Sequence, residues 1–117
     1  MISHLLHVHG IHSVVLEARS REYCEARIRA GVLEQGTVDL MRRAGVGARL
    51  DREGMRHEGI ELGVNRQRYR IPLSELTGGK AVTIYGQHEV VKDLIAKRVA
   101  DQGDLRFDCS EVSLHDI

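Results

Sequence analysis

Residues 12–17, with the sequence HSVVLE, decide how this chain folds. Three successive apolar residues of high β propensity predict a short strand that is buried on both faces, as in a parallel sheet. The strand ends at an acid, Glu17, and it follows a helical pattern of apolar residues that stops at Gly10. Glycine is favoured just past a helix end. A helix, a tight turn and a strand with an acidic end are the second half of a βαβ unit, so we predict an α/β fold.

Beyond this strand, helical and strand patterns follow one another without a repeat, a low-complexity segment or a linker. We predict helices from about 32 to 44, over 46–52 and over 87–101, strands over 55–64, 67–71 and 81–85, and the start of a final strand pair at 105–109 and 111–114. The first two strands are expected to be joined by a turn at Asn65 and Arg66.

The composition excludes several functional classes. At 117 residues the chain is one domain or a piece of one. Its 17 basic and 17 acidic residues cancel, so no net charge attracts nucleic acid or an anionic membrane. The two cysteines, Cys24 and Cys109, form no CxxC motif, and no apolar run approaches the roughly 20 residues that cross a bilayer. We therefore expect a cytoplasmic protein with reduced thiols.

A basic segment with the sequence ARIRAGVLEQG occupies residues 26–36, and its first arginine, Arg27, lies ten residues beyond Glu17. In dinucleotide-binding folds an acid at a strand end accepts hydrogen bonds from a ribose. Arginine suits a pyrophosphate because its planar fork makes paired, charge-assisted hydrogen bonds. Glu17, Arg27 and Arg29 are therefore candidates for holding the two ends of a dinucleotide, with the two arginines expected to point to opposite sides. A helix from Val32 would add free N–H groups. The alternative is that these three are ordinary surface charges.

Two further patterns are weaker. His4, His7, His9 and His12 fall within nine residues, but no carboxylate or thiol joins them in the sequence, so we predict partly exposed histidines and no metal site. The GVG run at residues 45–47 resembles half of a nucleotide-binding glycine motif. It follows a helix and not a strand, which indicates a helix stop.

Six stretches of the chain, in order, resemble the flavoprotein aromatic monooxygenases. They are VLE at 15–17, RIRAGVLEQG at 27–36, VDL at 38–40, HEG at 57–59, GGK at 78–80 and VTIYGQ at 82–87. The second stretch is specific to one enzyme of this family and is not shared by flavoproteins at large. The resemblance implies an incomplete Rossmann-like FAD-binding domain of the three-layer ββα type over residues 1–117, without the family's first strand and Gly-rich turn.

The resemblance also assigns roles to matched positions. Glu17 would bind the adenosine ribose of FAD, Arg29 its pyrophosphate and Gln87 its flavin-side portion. The residues implied in FAD binding are Glu17, Arg27, Ile28, Arg29, Ala30, Gly31, Val32 and Gln87. No metal ligand is implied.

Two more roles follow from the same resemblance. Arg19, Arg21 and Tyr23 fall where the family contacts its nicotinamide donor, NADPH or NADH. Ala18 replaces an arginine often found there, which leaves the choice of donor open. His57 matches the solvent-end member of a proton relay that removes the phenolic proton of the substrate, a task that suits an imidazole.

The implied activity is the hydroxylation of 4-hydroxybenzoate to 3,4-dihydroxybenzoate, with O2 as second substrate and FAD reduced by NAD(P)H. The implied enzyme is a homodimer of aromatic catabolism. The 117 residues alone are expected to be inactive and to bind FAD weakly or not at all, because strand 14–16 would lack a central neighbour. At ~25 cal/mol per Å² of apolar burial, that loss is several kcal/mol. From the residues alone, a small non-enzymatic α/β nucleotide-binding or interaction module remains the alternative.

Overall fold

The computed structural model describes residues 1–115, which form two compact units. One unit consists of Met1–Arg29 together with the chain from Gln87 onward, and the other is Ala30–Gly86. Helices alternate with parallel and antiparallel strand pairs, so the predicted α/β class is confirmed. The boundary between the units falls inside the basic segment that the sequence singled out.

Thirteen helices and strands make up the described chain. In order they are α1 (Ile2–Val8), β1 (Val14–Leu16), α2 (Arg21–Ala26), β2 (Val32–Glu34), α3 (Gln35–Arg43), α4 (Ala48–Glu53), β3 (Met55–His57), β4 (Ile60–Val64), β5 (Gln67–Ile71), α5 (Leu73–Leu76), β6 (Val82–Ile84), α6 (Gln87–Ala100) and β7 (Asp104–Arg106). The predicted helix at 87–101 and the predicted strands at 67–71 and 81–85 are confirmed to within one residue at each end. The strand predicted over 55–64 is divided into β3 and β4.

In the first unit, β1 and β7 pair in parallel, with Val15 opposite Leu105. The chain leaves α1 through Gly10, whose φ of +73° is the left-handed conformation that glycine adopts most easily. Asp101, directly after α6, lies 3.8 Å from His4 Nδ1 and 3.6 Å from His7 Nε2. This carboxylate therefore connects the end of α6 to α1.

Two predictions about this part of the chain are wrong. β1, which pairs with β7 on one side, is not buried on both faces, since Val14 and Leu16 are 44% and 48% exposed. Within residues 1–115 the sheet has two strands, so one edge of β1 is uncovered. Residues 111–114 form no strand, because Asp108 has a φ of +59° and turns the backbone after β7. The Cys109 N–H then donates to the Glu17 carbonyl oxygen at 3.0 Å.

The second unit is built on the antiparallel sheet β2-β6-β3, with β6 in the centre. Leu33 of β2, Met41 of α3 and Leu50 of α4 are buried, the last two at 0% and 1% exposure. The β4–β5 hairpin is a separate two-stranded sheet. Its predicted turn is confirmed, since Asn65 and Arg66 both have positive φ, at 49° and 61°, as a two-residue hairpin turn of type I′ requires.

The helix predicted to begin near Val32 begins at Gln35. Residues Val32–Glu34 form β2 instead, because they pair with β6. Gly31 makes this pairing possible. A Cβ atom there would lie 2.3 Å from the Tyr85 carbonyl oxygen, and the Tyr85 N–H donates to the Gly31 oxygen at 2.9 Å. Tertiary pairing has therefore overridden the helical spacing of the apolar residues.

Candidate functional site

A pocket of about 230 Å³ in the first unit gathers half of the residues that the sequence selected. It is lined by Glu17, Arg19, Tyr23, Cys24, Arg27, Arg29, Gln87, His88 and Val91. These side chains come from the carboxyl end of β1, from α2 and the segment after it, and from the first turns of α6. Ligands of open α/β sheets bind outside the carboxyl ends of the strands, which is where this pocket begins.

Backbone and side-chain hydrogen bonds hold Glu17 at the end of β1. Its N–H donates to the Arg106 carbonyl at 2.9 Å, and its own carbonyl accepts from Cys109 at 3.0 Å. The carboxylate accepts from the Arg19 backbone N–H at 2.9 Å through Oε1. A carboxylate has about four acceptor sites, so one such bond leaves capacity for the hydroxyl groups of a sugar.

Arg27 and Arg29 line the same pocket. The expectation that they point to opposite sides is therefore wrong, because residues two apart in an extended segment share a face. The guanidinium carbons of Arg19 and Arg27 lie 5.6 and 5.8 Å from the centre of the Tyr23 ring. At these distances the cations are attracted to the ring, which helps to fix their positions. The result is a concentration of positive charge facing a single carboxylate.

Cys24 lies among these charges but is a poor nucleophile. Burial raises the pKa of the Cys24 thiol above its ordinary value, and the Glu17 carboxylate acts in the same direction. The opposing influence of Arg29 and Arg27 is smaller. A neutral thiol at physiological pH suits the wall of a binding pocket better than it suits covalent chemistry.

Of the three residues predicted to contact the nicotinamide donor, two line the pocket and one does not. Ser20 accepts from the Tyr23 N–H at 3.2 Å and so begins α2 with Tyr23 facing the pocket. Arg19 also lines the pocket. Arg21 does not, and its Nε donates to Glu25 at 2.7 Å within α2.

His88 is a pocket residue that the sequence alone did not reveal. Its Nε2 lies 3.0 Å from Glu89 Oε1. Its Nδ1 is buried and has no hydrogen-bond partner among residues 1–115. The available signal was its position directly after Gln87, at the end of a stretch that matched the family.

The remaining predicted residues do not line this pocket. Ile28 is 83% exposed. Ala30, Gly31 and Val32 belong to the second unit, where Gly31 packs against the backbone of Tyr85 and Val32 is 61% exposed. His57, the last residue of β3, is exposed and stands opposite Val82.

The N-terminal histidines differ from the prediction in one respect. His4 is only 1% exposed, and a carboxylate from a distant part of the chain, Asp101, lies near both His4 and His7. A hydrogen bond from Lys97 holds the pKa of Asp101 below its ordinary value. In the part of the chain that the structure covers, no three His, Cys, Asp or Glu side chains are arranged to hold a metal ion.

Within 1–115, no helix combines the length and the apolar surface that crossing a membrane would need.

Comparison with known proteins agrees with the chemistry of the pocket. Residues 1–116 match the family model described as FAD binding domain. The chain is also 46% identical, over 118 aligned residues, to the p-hydroxybenzoate hydroxylase of Acinetobacter baylyi. That alignment covers 99% of this chain and 29% of the relative, so the chain spans less than a third of the hydroxylase it matches.

Proposed function

Because this chain belongs to the family of FAD binding domains, we propose that the pocket of its first unit holds part of the FAD and that the chain is the FAD-binding portion of a flavin monooxygenase. One observation carries the proposal. Glu17, Arg29 and Gln87 were selected from separate stretches of sequence, and all three line one pocket.

The chemistry of the pocket fits an FAD. Arg27 and Arg29 supply cationic donors for a pyrophosphate, and Glu17 supplies acceptors for sugar hydroxyl groups. The buried Nδ1 of His88 is an orphaned polar atom, which a polar ligand in the pocket would satisfy. The pyrophosphate and a sugar of the dinucleotide thus both have matching groups.

We assign roles on this basis. Glu17 binds the adenosine ribose, Arg29 binds the pyrophosphate with support from Arg27, and Gln87 holds the flavin-side portion. Ile28, Ala30, Gly31 and Val32 complete the cofactor segment in the proposal. When bound, FAD supplies electron transfer from a nicotinamide donor and the activation of O2. The chain itself contributes binding, orientation and charge.

The proposed enzyme hydroxylates 4-hydroxybenzoate to 3,4-dihydroxybenzoate, as a homodimer. The name of the Acinetobacter relative supports this substrate class. His57 serves as the solvent-end member of a proton relay, a role that its exposed position on β3 allows. We place the enzyme in the cytoplasm, since the free cysteines Cys24 and Cys109 suit a reducing compartment.

For the electron donor, we propose that Arg19 and Tyr23 contact NADPH or NADH. Arg19 lines the pocket and Arg21 is engaged with Glu25, so Arg19 is the better candidate for a 2′-phosphate. Replacing both arginines by alanine in the active enzyme should lower the ratio of the NADPH rate to the NADH rate. An unchanged ratio would refute the assignment.

The cofactor site is tested by the FAD dissociation constants of the Glu17→Gln and Arg29→Met chains. Hydrogen bonds to charged groups contribute about 1.5–3 kcal/mol, so each change should weaken binding by about tenfold or more. Flavin fluorescence anisotropy, with protein titrated into a fixed amount of FAD, also measures weak binding. Arg68→Met is the control, since Arg68 is 86% exposed on the hairpin. Equal FAD affinities for the wild-type chain and all three variants would exclude this pocket as the cofactor site.

The activity is tested with a chimera in which residues 1–117 replace the aligned segment of the Acinetobacter hydroxylase. We expect 4-hydroxybenzoate to stimulate NAD(P)H oxidation and 3,4-dihydroxybenzoate to appear. A chimera that folds and holds FAD but forms no hydroxylated product would instead favour the non-enzymatic binding module.

A further inference from the structure

His88 occupies an unusual position for a histidine at the start of a helix. Its side chain is 22% exposed, and it lines the pocket beside Gln87, Glu17 and Arg29. Only one of its two ring nitrogens has a neighbour of opposite polarity, since Nε2 lies 3.0 Å from Glu89 while Nδ1 is buried without a hydrogen-bond partner among the described residues. A buried polar atom without a partner destabilises the folded chain, and a ligand that bonds to it recovers that loss.

The neighbour at Nε2 determines what Nδ1 can do. A neutral imidazole carries one proton, and the carboxylate of Glu89 favours that proton on Nε2. Nδ1 is then an acceptor of hydrogen bonds and not a donor. Hydroxyl groups are donors that such a nitrogen can accept from, whereas phosphate oxygens are themselves acceptors. The phosphates already have donors in Arg27 and Arg29.

We propose that His88 is a further FAD-binding residue, whose neutral ring accepts a hydrogen bond at Nδ1 from a hydroxyl group of the cofactor's sugar portions. This inference rests on the proposed function of the pocket. It adds a pH dependence to cofactor binding, because protonation of the ring turns Nδ1 from an acceptor into a donor and removes this hydrogen bond.

The charged surroundings of the ring come from three parts of the first unit. The titratable and charged groups that share the pocket are Glu17 after β1, Arg19, Tyr23 and Cys24 at α2, and Arg27 and Arg29 in the segment that follows. On α6 itself, Glu89 lies near the ring and is paired with Lys92 at 2.8 Å.

The test compares FAD dissociation constants of the full chain between about pH 5.5 and 8, the range in which an imidazole titrates. Wild-type affinity should fall on acidification. His88→Asn keeps a polar atom near the position of Nδ1 but does not titrate, so it should bind like the wild type at about pH 8 and lose part of the pH dependence. His88→Leu should bind about fivefold more weakly at that pH, since one neutral hydrogen bond is lost.

His9→Gln is the matched control, because His9 is exposed and lies outside the pocket. It should keep the full pH dependence of the wild type. Tighter binding at acidic pH would overturn the proposal, since it would show a protonated ring donating to phosphate.

Different results would refute the two proposals. If Glu17→Gln and Arg29→Met weaken binding but both His88 variants follow the wild type at every pH, this inference alone is wrong. If those two substitutions leave FAD binding unchanged, in this chain or in the chimera where the chain alone binds none, the pocket itself is not the cofactor site and both proposals fail.

Discussion

The two units of this chain bury different kinds of side chain. The second unit has an apolar core, whose buried members are Leu33, Val38, Met41, Ala44, Val46, Leu50, Ala81 and Tyr85. Among the described residues of the first unit, the buried side chains are Ile95 and the polar His4 and Arg98. A pocket of about 210 Å³, lined by Val15, Leu105 and Arg98 among others, lies within that first unit beside the candidate cofactor pocket.

This difference in buried side chains suggests that folding stability and ligand binding belong mainly to different units. Close-packed apolar side chains contribute most of the stability of a domain. A buried guanidinium is costly unless it is paired, and the Nε and Nη1 atoms of Arg98 have no hydrogen-bond partner among residues 1–115. We therefore expect the second unit to carry most of the folding stability and the first to carry the binding of FAD.

The largest expected effect is on the core of the second unit. Leu50→Ala removes a side chain that is 1% exposed, so it should lower the free energy of unfolding by about 2–5 kcal/mol, the range for buried leucines. Urea unfolding followed by far-UV circular dichroism measures this change. Leu76→Ala, at a site 69% exposed, should change it by less than about 0.5 kcal/mol. Similar losses for both variants would show that this core does not hold the unit together.

The second prediction concerns Gly31, which precedes β2 and packs against the backbone of Tyr85, directly after β6. Gly31→Ala places a Cβ atom 2.3 Å from the Tyr85 oxygen, a backbone atom that cannot yield cheaply, so we expect a loss of about 1–3 kcal/mol. Gly36→Ala has the opposite expected sign. Nothing lies within 4 Å of its new Cβ atom, and alanine favours a helix over glycine by up to about 1 kcal/mol. Thermal unfolding of the two variants should move in opposite directions, and a common direction would contradict the packing described at Gly31.

The smallest effect concerns the polar contacts of the first unit. A hydrogen bond from Lys97 lowers the pKa of Asp101 below 3.8 in the folded chain, with smaller contributions in the same direction from His7 and His4. The unfolded chain therefore binds this proton more readily, and the associated stability is present at neutral pH and lost as the pH falls through about 4 and below. In urea unfolding, the Asp101→Asn chain should therefore lose slightly less stability than the wild type as the pH falls through this range.

The control for this last prediction is Glu111→Gln, at an exposed position after β7. This substitution should leave the loss of stability at acidic pH the same as in the wild type. An Asp101→Asn chain whose stability falls as steeply as that of the wild type would show that the link between α6 and α1 has no measurable effect on folding.

Local features of the fold were determined by the sequence itself. The helix stop at Gly10 and the turn at Asn65 and Arg66 depend on the conformations of neighbouring residues, which side-chain type largely sets. The choice of Glu17 and Arg29 as pocket residues also came from short stretches, because the chemistry of a dinucleotide requires acceptors and cationic donors at matched positions.

Tertiary structure decided what depends on partners distant in the chain. Residues Val32–Glu34 became a strand because β6 offered hydrogen bonds, and residues 111–114 did not because the backbone turned at Asp108. The burial of His4 and the place of His88 in the pocket were likewise decided by packing. Periodicity and propensity describe neighbours within a few residues, whereas pairing and packing free energies come from segments that only the folded chain brings together.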